Sequence, residues 1–382
     1  MNVLMVVEGF GSDRFGVEKV VENISENLIQ HDWQCDIVTM VIDGTLKSAI
    51  ESHVHQVPYW NFTRPLRFHP AQYLQVKALV QDLSPDIVHC HGCFSWLQVA
   101  SIWAARKQPG KVILLSAHGM LEPWLWRQKG SIYNLMKRLF WNLLLKPTMA
   151  HVDYVHAITD QEADTFAKEF PGVRQIRISN AIDLSEYNDQ QEPPDEKRYL
   201  FFIGRLHPKK GLDLLINAFA RMSDEGVRLV IAGPDFDPEY TRELKSLVQK
   251  WELSERVNFV GSVYGEAKST LLKKAWCTVV PSYSDVVALV NLESAASFTP
   301  TITTTMTGLS DWEEGGGLLV EPEVEALYEA IATVCKWSAE ERMKNGRVAR
   351  EFVEQRYSWD VVGEQWIEAY KMMAESGRQH EQ

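Results

Sequence analysis

Hydrophobic residues in the first half of the chain follow two alternating patterns. Short apolar runs rich in β-branched residues predict strands. They occupy 3–7, 35–40, 86–90, 111–117, 154–159 and 175–179. Between several of them, apolar residues recur on one face of a helix, as at Val17, Val20, Val21, Ile24 and Leu28. Such a strand–helix alternation predicts a parallel sheet with helices on both faces.

The alternation stops at a polar segment and then begins again. Residues 189–198 are polar and charged and contain Pro193 and Pro194, which predicts a linker. A second set of strand-like runs follows at 199–204, 228–233, 256–261, 277–282, 300–305 and 317–322. We therefore expect an α/β protein with two Rossmann-like, doubly wound domains, at 1–188 and 199–357. The strand ends of two such domains would face one central cleft, where ligands bind.

The last part of the chain has helical spacing almost throughout. From about Ser338 to Met373 the pattern predicts helix, with a kink around residues 357–359. We expect residues 358–382 to form a C-terminal helix that crosses back to the first domain.

Composition narrows the functional class. The 382 residues include 39 basic and 51 acidic side chains, a formal net charge of −12. Proteins that bind nucleic acid by neutralising phosphates usually carry the opposite sign, so nucleic acid is not an expected partner. Five widely spaced cysteines in a chain of this size indicate a reducing, cytoplasmic compartment. The first residues lack the basic region of a signal peptide, and the apolar run at 139–145 is far shorter than the ~20 residues of a membrane-spanning helix.

The glycine-rich loop at 9–16 follows the first strand. A dinucleotide fingerprint starting at Gly9 and Gly11 needs a third glycine where the chain has Arg14, and the acidic residue expected after the second strand is absent. These differences argue against NAD. The loop fits a flexible turn at a helix start, able to approach an anion or a sugar hydroxyl.

A second loop carries positive charge. The strand at 199–204 runs into GRLHPKKG, in which Arg205 and Lys210 flank a tight turn before a helix begins. The planar fork of arginine and the mobile ammonium of lysine, beside the N–H groups of a helix start, suit a diphosphate. A solvated basic turn with ordinary capping is the alternative from these residues alone.

Two acidic residues follow the strand at 277–282. Asp285 and Glu293 are eight residues apart, and a carboxylate at a helix start is able to accept hydrogen bonds from ribose hydroxyls. With these residues the chain resembles the retaining, nucleotide-sugar-dependent glycosyltransferases of family 4, which have the GT-B fold. The resemblance rests on strings spread over most of the chain: PDIVHCHG, SAHGM, ISNAID, FIGRLHPKKGLDLLINAF, LVIAGP, VNFVG, VVPS and GGGLLVEP.

The resemblance implies roles for individual residues. Arg205 and Lys210 match the family residues that bind the donor diphosphate, and Glu293 matches the acid that binds ribose. Asp285 stands where the family has an acid beside the donor sugar, and it is a candidate catalytic residue. His118, in SAHG, matches the family histidine near the reacting anomeric carbon, where it orients the substrate and stabilises charge.

The assignment of His118 has a simpler alternative, and one further match to the family is incomplete. A strand-end histidine that caps Gly119 is the alternative for His118. Near the N-terminus, Gly11, Gly16 and Glu18 match the family's glycine loop, which lies near the donor phosphate and the acceptor. Phe15 replaces the first glycine of that loop.

One stretch departs from the family pattern. Where the family has Gly-Phe-Gly, whose amides approach the donor, this chain has Val286, Val287 and Ala288. We expect Val287, Ala288 and Leu289 to contact the donor, with a more restricted backbone. The departure motivates an alternative function, a catalytically weak binding or scaffold subunit. A nucleotide-sugar epimerase or hydrolase is the alternative enzyme of the same fold.

Two segments combine basic and aromatic residues without any acid. Residues 123–152 carry five basic side chains, including Lys137 and Arg138, and the aromatic residues Trp124, Trp126, Tyr133, Phe140 and Trp141. Residues 52–81 carry three histidines together with Arg64, Arg67 and Lys77. Basic segments with tryptophan suit an anionic membrane surface. A core helix with a solvated basic face is the alternative.

Two further patterns have ordinary explanations. Asp235 and Asp237 have the spacing of a metal-binding D-x-D, but they lie between Pro234 and Pro238 after a strand, which predicts a turn and a helix cap. In HCHGC at 89–93, strand alternation turns the first cysteine away from both histidines, and no second ligand group occurs at zinc spacing. We therefore expect no metal and no cofactor besides the substrate, a UDP- or GDP-linked sugar.

The resemblance thus implies an enzyme, a retaining and metal-independent hexosyltransferase. It would move a sugar from a nucleoside diphosphate to a glycan or lipid-linked acceptor in bacterial surface polysaccharide or lipopolysaccharide biosynthesis. The expected location is the cytoplasm, peripheral at the inner face of the plasma membrane.

Overall fold

The computed structural model describes residues 1–11, 16–61, 67–121, 132–187 and 190–379. The chain forms two compact units. One comprises Met1–Ser179 and Val362–Gln382, and the other comprises Asn180–Val361.

These units divide the chain at different residues from the expected boundaries at 188 and 357. Ile182 forms a parallel bridge with Ser358. Its N–H donates to the carbonyl of Tyr357 at 2.8 Å, and its carbonyl accepts from the N–H of Trp359 at 3.2 Å. These bonds tie the segment after Ser179 to the second unit, which therefore begins before the polar segment.

The first unit is built on a seven-stranded sheet in which every adjacent pair is parallel. In spatial order its strands are β5 (Val54–Gln56), β3 (Gln34–Thr39), β1 (Asn2–Val6), β6 (Ile87–His91), β7 (Val112–Ser116), β8 (Tyr154–Ala157) and β9 (Arg174–Arg177). A separate parallel pair joins β2 (Gly9–Phe10) to β4 (Val41–Ile42). The central strands β6 and β7 are buried along their whole length and β1 from Val3 onward, which explains why they read as largely apolar runs.

Helices flank this sheet. They are α1 (Val17–Gln30), α2 (Ser48–Glu51), α3 (Ala71–Leu83), α4 (Trp96–Arg106), α5 (Ile132–Phe140) and α6 (Asp160–Glu169). α5 continues through a π-helical turn at Trp141–Leu145 and a last turn at Lys146–Thr148. α1 buries Val20, Val21, Ile24 and Leu28, as its spacing predicts.

The second unit has a six-stranded sheet, again parallel throughout. In spatial order its strands are β12 (Val257–Gly261), β11 (Arg228–Ala232), β10 (Tyr199–Ile203), β13 (Cys277–Val280), β14 (Thr301–Thr304) and β15 (Leu318–Val320). Its helices are α7 (Leu212–Phe219), α8 (Pro238–Lys250), α9 (Gly265–Lys274), α10 (Leu289–Ala296), α11 (Val324–Cys335) and α12 (Ala339–Arg356).

The predicted kink near residue 358 is a complete helix break. α12 begins with a capping box between Ser338 and Glu341 and ends at Arg356. A separate helix, α13, then runs from Trp359 to Gln379, beginning in the second unit and continuing in the first.

The strand orders determine where ligands are able to bind. In the second sheet the order reverses between β10 and β13, and in the first sheet it reverses between β1 and β6. Loops that leave the carboxyl ends of such strand pairs diverge and open a crevice. The loop carrying Arg205 and Lys210 follows β10, and Asp285 follows β13, so both lie at the switch point of the second sheet.

Candidate active site

The basic loop of the second unit is a tight turn held by its own backbone. Residues Pro208–Lys210 form a 3-10 turn, and the Nδ1 atom of His207 accepts the N–H of Lys209 at 3.1 Å. Gly211 has a φ of 65°, and a Cβ there would lie 2.0 Å from the carbonyl oxygen of Pro281. Only glycine fits this approach. The turn is therefore fixed against the end of β13.

This approach brings the two predicted charges into contact. The ammonium of Lys210 donates a hydrogen bond to Oδ2 of Asp285, and both side chains are about four-fifths buried. Burial opposes ionisation of Asp285, but Lys210, followed by Lys209 and Arg205, holds the pKa of this carboxyl below its ordinary value. Asp285 is thus an ionised counter-charge to the basic turn.

Arg205 reaches outward from the same turn. Its guanidinium lies over the ring of Phe236, 5.0 Å from the centroid. The ring of His207 contacts the same aromatic ring at 5.7 Å, edge to face. Phe236 is 56% exposed. The loop after β11 therefore contributes a partly exposed aromatic surface next to the cations, which was not predicted from the sequence.

The acidic residues on either side of Phe236 serve as caps, as predicted. Asp237 accepts the N–H groups of Glu239 and Tyr240 at the start of α8. Asp235 accepts the hydroxyl proton of Thr241 at 2.7 Å. Both carboxylates are therefore engaged in local structure.

The loop between Asp285 and α10 carries the departure from the family pattern. The N–H of Asp285 donates to the carbonyl of Met306 at 2.8 Å. The side chains of Val287 and Ala288 are buried, so these residues would meet a ligand through their backbone. α10 begins at Leu289 without a side-chain cap. Uncapped N–H groups at a helix start carry partial positive charge and attract anions.

Glu293 lies in the second turn of α10 rather than at its start, which corrects the sequence interpretation. Its Oε1 atom accepts a hydrogen bond from the ammonium of Lys268, in α9, at 2.6 Å. Burial and the charge of Glu293 raise the pKa of Tyr187 far above its ordinary value. Lys268 and Tyr187 were not predicted from the sequence, because neither lies within a recognisable string.

A hydrogen-bonded network supports the loop after β13. The hydroxyls of Tyr283 and Tyr240 donate to the two carboxylate oxygens of Asp213, each at 2.8 Å. Asp213 lies in the first turn of α7, directly after the basic turn. The network therefore links the Asp285 loop, the basic turn and α8 as one framework.

In the first unit, His118 follows the end of β7 in an unusual backbone conformation. Its φ is 51°, in the left-handed region that residues other than glycine rarely occupy. The carboxylate of Glu162 accepts the N–H of Gly119 at 2.8 Å and the N–H of Ile158 at 2.9 Å. Glu162, not the His118 ring, is therefore the partner of the Gly119 amide. A strained residue held by its surroundings is a common feature of functional sites.

The ring of His118 contacts a second histidine. Its Nε2 atom lies 2.9 Å from Nδ1 of His91, and the rings stack with centroids 5.2 Å apart. Burial, with a smaller contribution from the charge of His156, lowers the pKa of His118 to about 3. The ring is therefore neutral at physiological pH.

The glycine loop of the first unit follows β1, which borders that sheet's own switch point. Gly11 has a φ of 129°, and a Cβ there would lie 1.9 Å from the carbonyl oxygen of Asp43. Gly16, with a φ of 91°, precedes α1, and Glu18 lies in the first turn of that helix. Phe15 and Arg14 fall outside the described residues.

His89 and His91 share one face of β6, with ring centroids 3.9 Å apart. Cys90 points into the apolar core on the opposite face, as alternation predicts. All five cysteines are buried thiols. Within the described ranges, no three or more His, Cys, Asp or Glu residues form a group arranged to hold a metal ion.

The predicted membrane-facing segment 123–152 is only partly as expected. Phe140 and Trp141 are buried, because Trp141 packs against Phe94 and Phe170, so both belong to the core and not to a membrane-facing surface. Other apolar side chains of this helical run are exposed instead: Leu135, Met136, Leu139 and Leu143. Trp124, Trp126 and the side chains of Tyr133 and Lys137 fall outside the described residues.

The segment 52–81 has fewer available charges than its sequence indicates. Arg67 forms an ion pair with Glu8 at 2.9 Å. His53 and His55 both contact the carboxylate of Asp36, at 3.5 Å and 2.9 Å. Arg64 falls outside the described residues. In the parts of the chain that the structure covers, no helix is long and apolar enough to span a membrane.

Two family descriptions match consecutive parts of the chain. Residues 16–186 match Glycosyltransferase Family 4, and residues 184–352 match Glycosyl transferases group 1. The first match covers the His118 strand end, Gly16 and Glu18, and it begins after Gly11. The second covers the basic turn, Asp285 and Glu293.

Known proteins of similar sequence are glycosyltransferases. The uncharacterized glycosyltransferase MJ1607 of Methanocaldococcus jannaschii is 29% identical over 186 residues, which are 47% of this chain and 46% of that protein. This match thus spans less than half of that relative. The phosphatidylinositol N-acetylglucosaminyltransferase gpi3 subunit of Schizosaccharomyces pombe is 26% identical over 377 residues, 96% of this chain and 79% of that protein.

Solved structures share the architecture at low sequence identity. Anabaena Alr3699/HepE, crystallised in complex with UDP and glucose, superposes with a TM-score of 0.73 and 19% identity, covering 97% of this chain and all of that one. WaaG, a glycosyltransferase involved in lipopolysaccharide biosynthesis, superposes with a TM-score of 0.71 and 18% identity, covering 95% of this chain and 98% of that one. The α/β fold with two parallel-sheet units is confirmed. The chain belongs to the family 4 glycosyltransferases and has their GT-B fold.

Proposed function

We propose that this glycosyltransferase takes its sugar from a nucleoside diphosphate and transfers it with retention of anomeric configuration. The contact between Lys210 and Asp285, at the switch point of the second sheet, carries the proposal. A diphosphate would replace the Asp285 carboxylate on Lys210. Arg205 and the uncapped start of α10 would supply further donors to the phosphate oxygens.

Glu293 would bind the ribose of the same donor. Lys268 bonds its Oε1 atom and orients the carboxylate, and ribose hydroxyls would donate to Oε2. The backbone of Val287, Ala288 and Leu289 would approach the diphosphate and the sugar. UDP or GDP is the expected nucleotide, and the Anabaena protein of the same fold, crystallised with UDP and glucose, supports the former.

The reaction breaks the bond between the anomeric carbon and the phosphate oxygen. The bonding electrons leave with the nucleoside diphosphate, whose added negative charge Arg205, Lys210 and the helix amides would stabilise. The acceptor oxygen then bonds to the anomeric carbon on the same face, and its proton passes to the departing phosphate oxygen. Because protein cations supply the positive charge, we propose a reaction that needs no metal ion. His118 would orient the sugar.

Product stereochemistry tests this proposal. We would measure nucleoside diphosphate release from a panel of UDP- and GDP-sugars and determine the anomeric configuration of the product by NMR. The expected product has the configuration of the donor, formed equally well in EDTA. An inverted product, or loss of turnover in EDTA that Mg²⁺ or Mn²⁺ restores, would contradict the mechanism.

Two alternatives make different products. A hydrolase releases free sugar and an epimerase releases a changed sugar, in both cases without an acceptor. A scaffold subunit, which the Val286–Ala288 stretch favours, would bind a nucleotide without turning over any donor. Product analysis with and without acceptor separates all three from a transferase.

The acceptor is proposed to be a glycan or a lipid-linked glycan at an anionic membrane. Exposed Leu135, Leu139 and Leu143 recur every four residues along the α5 run, which is α5 with the π-helical turn that continues it. Exposed Arg138 lies between them. Such a surface suits the headgroup region of a bilayer. The names of the gpi3 relative and of WaaG concern glycosylated lipids and support this acceptor class. A cytoplasmic protein at the inner face of the plasma membrane, acting in surface polysaccharide or lipopolysaccharide synthesis, would fit.

A further inference from the structure

Buried histidines at the carboxyl edge of the first sheet form a hydrogen-bonded chain with one direction. A backbone carbonyl only accepts, so His156 must donate from Nε2 to the carbonyl of Ile178 at 2.8 Å. Its Nδ1 atom then accepts from Ser116 at 2.8 Å, and Ser116 accepts from Nε2 of His89 at 2.7 Å. Nδ1 of His89 accepts from the hydroxyl of Tyr370 at 2.7 Å. This chain fixes the tautomers of two histidines, and it does not include His118.

A second, shorter series of hydrogen bonds does include His118. The Nε2 atom of His91 lies 3.4 Å from the thioether sulfur of Met5, which has no proton to give. A neutral imidazole has one N–H, and the sulfur accepts but does not donate, so a hydrogen bond between them assigns that proton to Nε2 of His91 and leaves Nδ1 to accept. The proton between the two rings, 2.9 Å apart, therefore belongs to Nε2 of His118. That leaves Nδ1 of His118 unprotonated.

The surroundings of the two rings differ. His91 is buried, and the Nε2 side of His118 is directed at it. His118 is partly exposed, and its Nδ1 atom forms no hydrogen bond to any residue that the structure describes. Burial lowers the pKa of both rings well below 6.5, so each stays neutral and the position of the proton is the variable that matters.

We propose that His91 is a positioning residue, which fixes His118 as the Nε2–H tautomer so that its Nδ1 lone pair accepts a hydrogen bond from a hydroxyl of the bound sugar. The inference rests on the proposed function, because that function brings a sugar to His118. The Glu162 bonds to the amides of Gly119 and Ile158 hold the strand end at which His118, with its left-handed backbone, meets His91. Met5 acts one step further back, by fixing the tautomer of His91.

The tautomer of each histidine is read from the nitrogen NMR chemical shifts of protein labelled with ¹⁵N-histidine. The His118 signals are assigned by their loss in His118→Asn. In the wild type they should be those of a single neutral Nε2–H tautomer from about pH 6 to pH 8. His91→Phe removes the acceptor and should produce a mixture of tautomers. Turnover of the best donor from the UDP- and GDP-sugar panel should then fall about tenfold in kcat, as for one hydrogen bond, with little change in KM.

Two variants separate positioning from general damage to the core. His91→Asn keeps an acceptor oxygen near the position of Nδ1, and it should restore the single tautomer and most of kcat. Tyr370→Phe removes the hydroxyl that bonds Nδ1 of His89 at 2.7 Å and that reaches the Met5 sulfur only at 4.0 Å, and it should leave the His118 signals and kcat unchanged. A wild-type His118 with its proton on Nδ1, or a His91→Phe spectrum like that of the wild type, overturns the proposal. So does an equal loss of kcat in Tyr370→Phe.

Failure of this inference and failure of the proposed function give different results. The spectra decide the tautomer of His118 and its dependence on His91 without any substrate. Donor binding that is insensitive to Lys210→Ala would refute the proposed function while leaving the spectra as expected.

Discussion

At the scale of the single residue, Asp285 accepts a hydrogen bond from the ammonium of Lys210, the group that a diphosphate would need. The carboxylate and Lys210 are mostly buried, and the pKa of Asp285 lies below its ordinary value, so the carboxylate is ionised at neutral pH. Binding of an anion must therefore displace one negative charge from the basic turn. The same carboxylate would be free to face the sugar once the diphosphate has taken its place.

Asp285→Asn should therefore strengthen binding of the nucleoside diphosphate alone. Removal of the competing charge is worth about 1 kcal/mol for a partly exposed pair, which corresponds to roughly fivefold in Kd. Calorimetric titration with UDP or GDP measures this change. Asp311→Asn, which breaks an exposed ion pair with Arg356 in the same unit, serves as the control and should leave Kd unchanged. Weaker binding to Asp285→Asn would show that the carboxylate assists the diphosphate.

How far the sequence predicts these residues depends on where they lie along the strands. Lys210 and Asp285 follow strands β10 and β13, and the order of a doubly wound sheet makes these strands neighbours. Their proximity was therefore predictable. Lys268 was not, because it meets Glu293 across two helix surfaces whose rotation depends on packing. The HCHG string did draw attention to His91, but only the ring geometry shows its bond to His118.

At the scale of the element, the α5 run separates apolar residues into two groups. Phe140 and Trp141 lie in the core, whereas Leu139 and Leu143 are 49% and 69% exposed. Leucines so exposed contribute little to folding, and exposed apolar side chains in a row indicate an interaction surface.

The double variant Leu139→Gln with Leu143→Gln should bind anionic vesicles at least about tenfold more weakly than the wild type, since each leucine buried in a bilayer contributes roughly 1.5 kcal/mol or more. Its melting temperature should not change, because both side chains are exposed. Sedimentation with vesicles of phosphatidylglycerol and phosphatidylcholine measures the binding. Trp251→Gln, an exposed apolar residue of the second unit, is the control. Equal sedimentation of both variants would remove α5 as the membrane contact.

Element type was predictable where the apolar runs are long. All six strand-like runs of each half are strands in the structure. The short strands β2, β4 and β5 were missed, because two or three residues carry no measurable periodicity. The membrane-facing assignment of Phe140 and Trp141 was wrong because composition does not distinguish the two faces of one helix. The packing of Trp141 against Phe94 and Phe170 does.

At the scale of the whole molecule, the neutral histidines His89, His91, His118 and His156 make the first unit sensitive to acid. Burial lowers the pKa of His156 to about 4 and that of His118 to about 3, from 6.5 in the unfolded chain, and it lowers those of His89 and His91 as well. Between pH 6.5 and about 4, the unfolded chain binds protons that the folded unit does not. Stability therefore falls as pH decreases through this range, by up to about 1.4 kcal/mol per histidine per pH unit.

Thermal unfolding at about pH 7.5 and about pH 5 measures this dependence. The wild type should lose melting temperature steeply between the two values. His156→Gln, which cannot take up a proton, should be less stable at the higher pH and lose less on acidification. An equal loss in both proteins would show that His156 is protonated in the folded state and that its burial does not hold it neutral.

The two units divide the functional residues between them. The first holds His118 with its histidine neighbours and the glycine loop, and the second holds the basic turn, Asp285 and Glu293. The central claim concerns the second unit, namely that Lys210 binds the diphosphate of a nucleotide sugar. Every further step of the proposed reaction depends on it.

Isothermal titration of UDP and GDP into the wild type, Lys210→Ala and Lys274→Ala tests that claim most directly. Lys274 pairs with Glu192 at 3.0 Å in the same unit, so its variant controls for the loss of one positive charge. We expect one of the two nucleotides to bind the wild type and Lys274→Ala equally, and Lys210→Ala at least about tenfold more weakly, as for a lost hydrogen bond to a charged group. If neither nucleotide binds the wild type, or if Lys210→Ala binds as tightly as Lys274→Ala, the assignment of the diphosphate site is wrong.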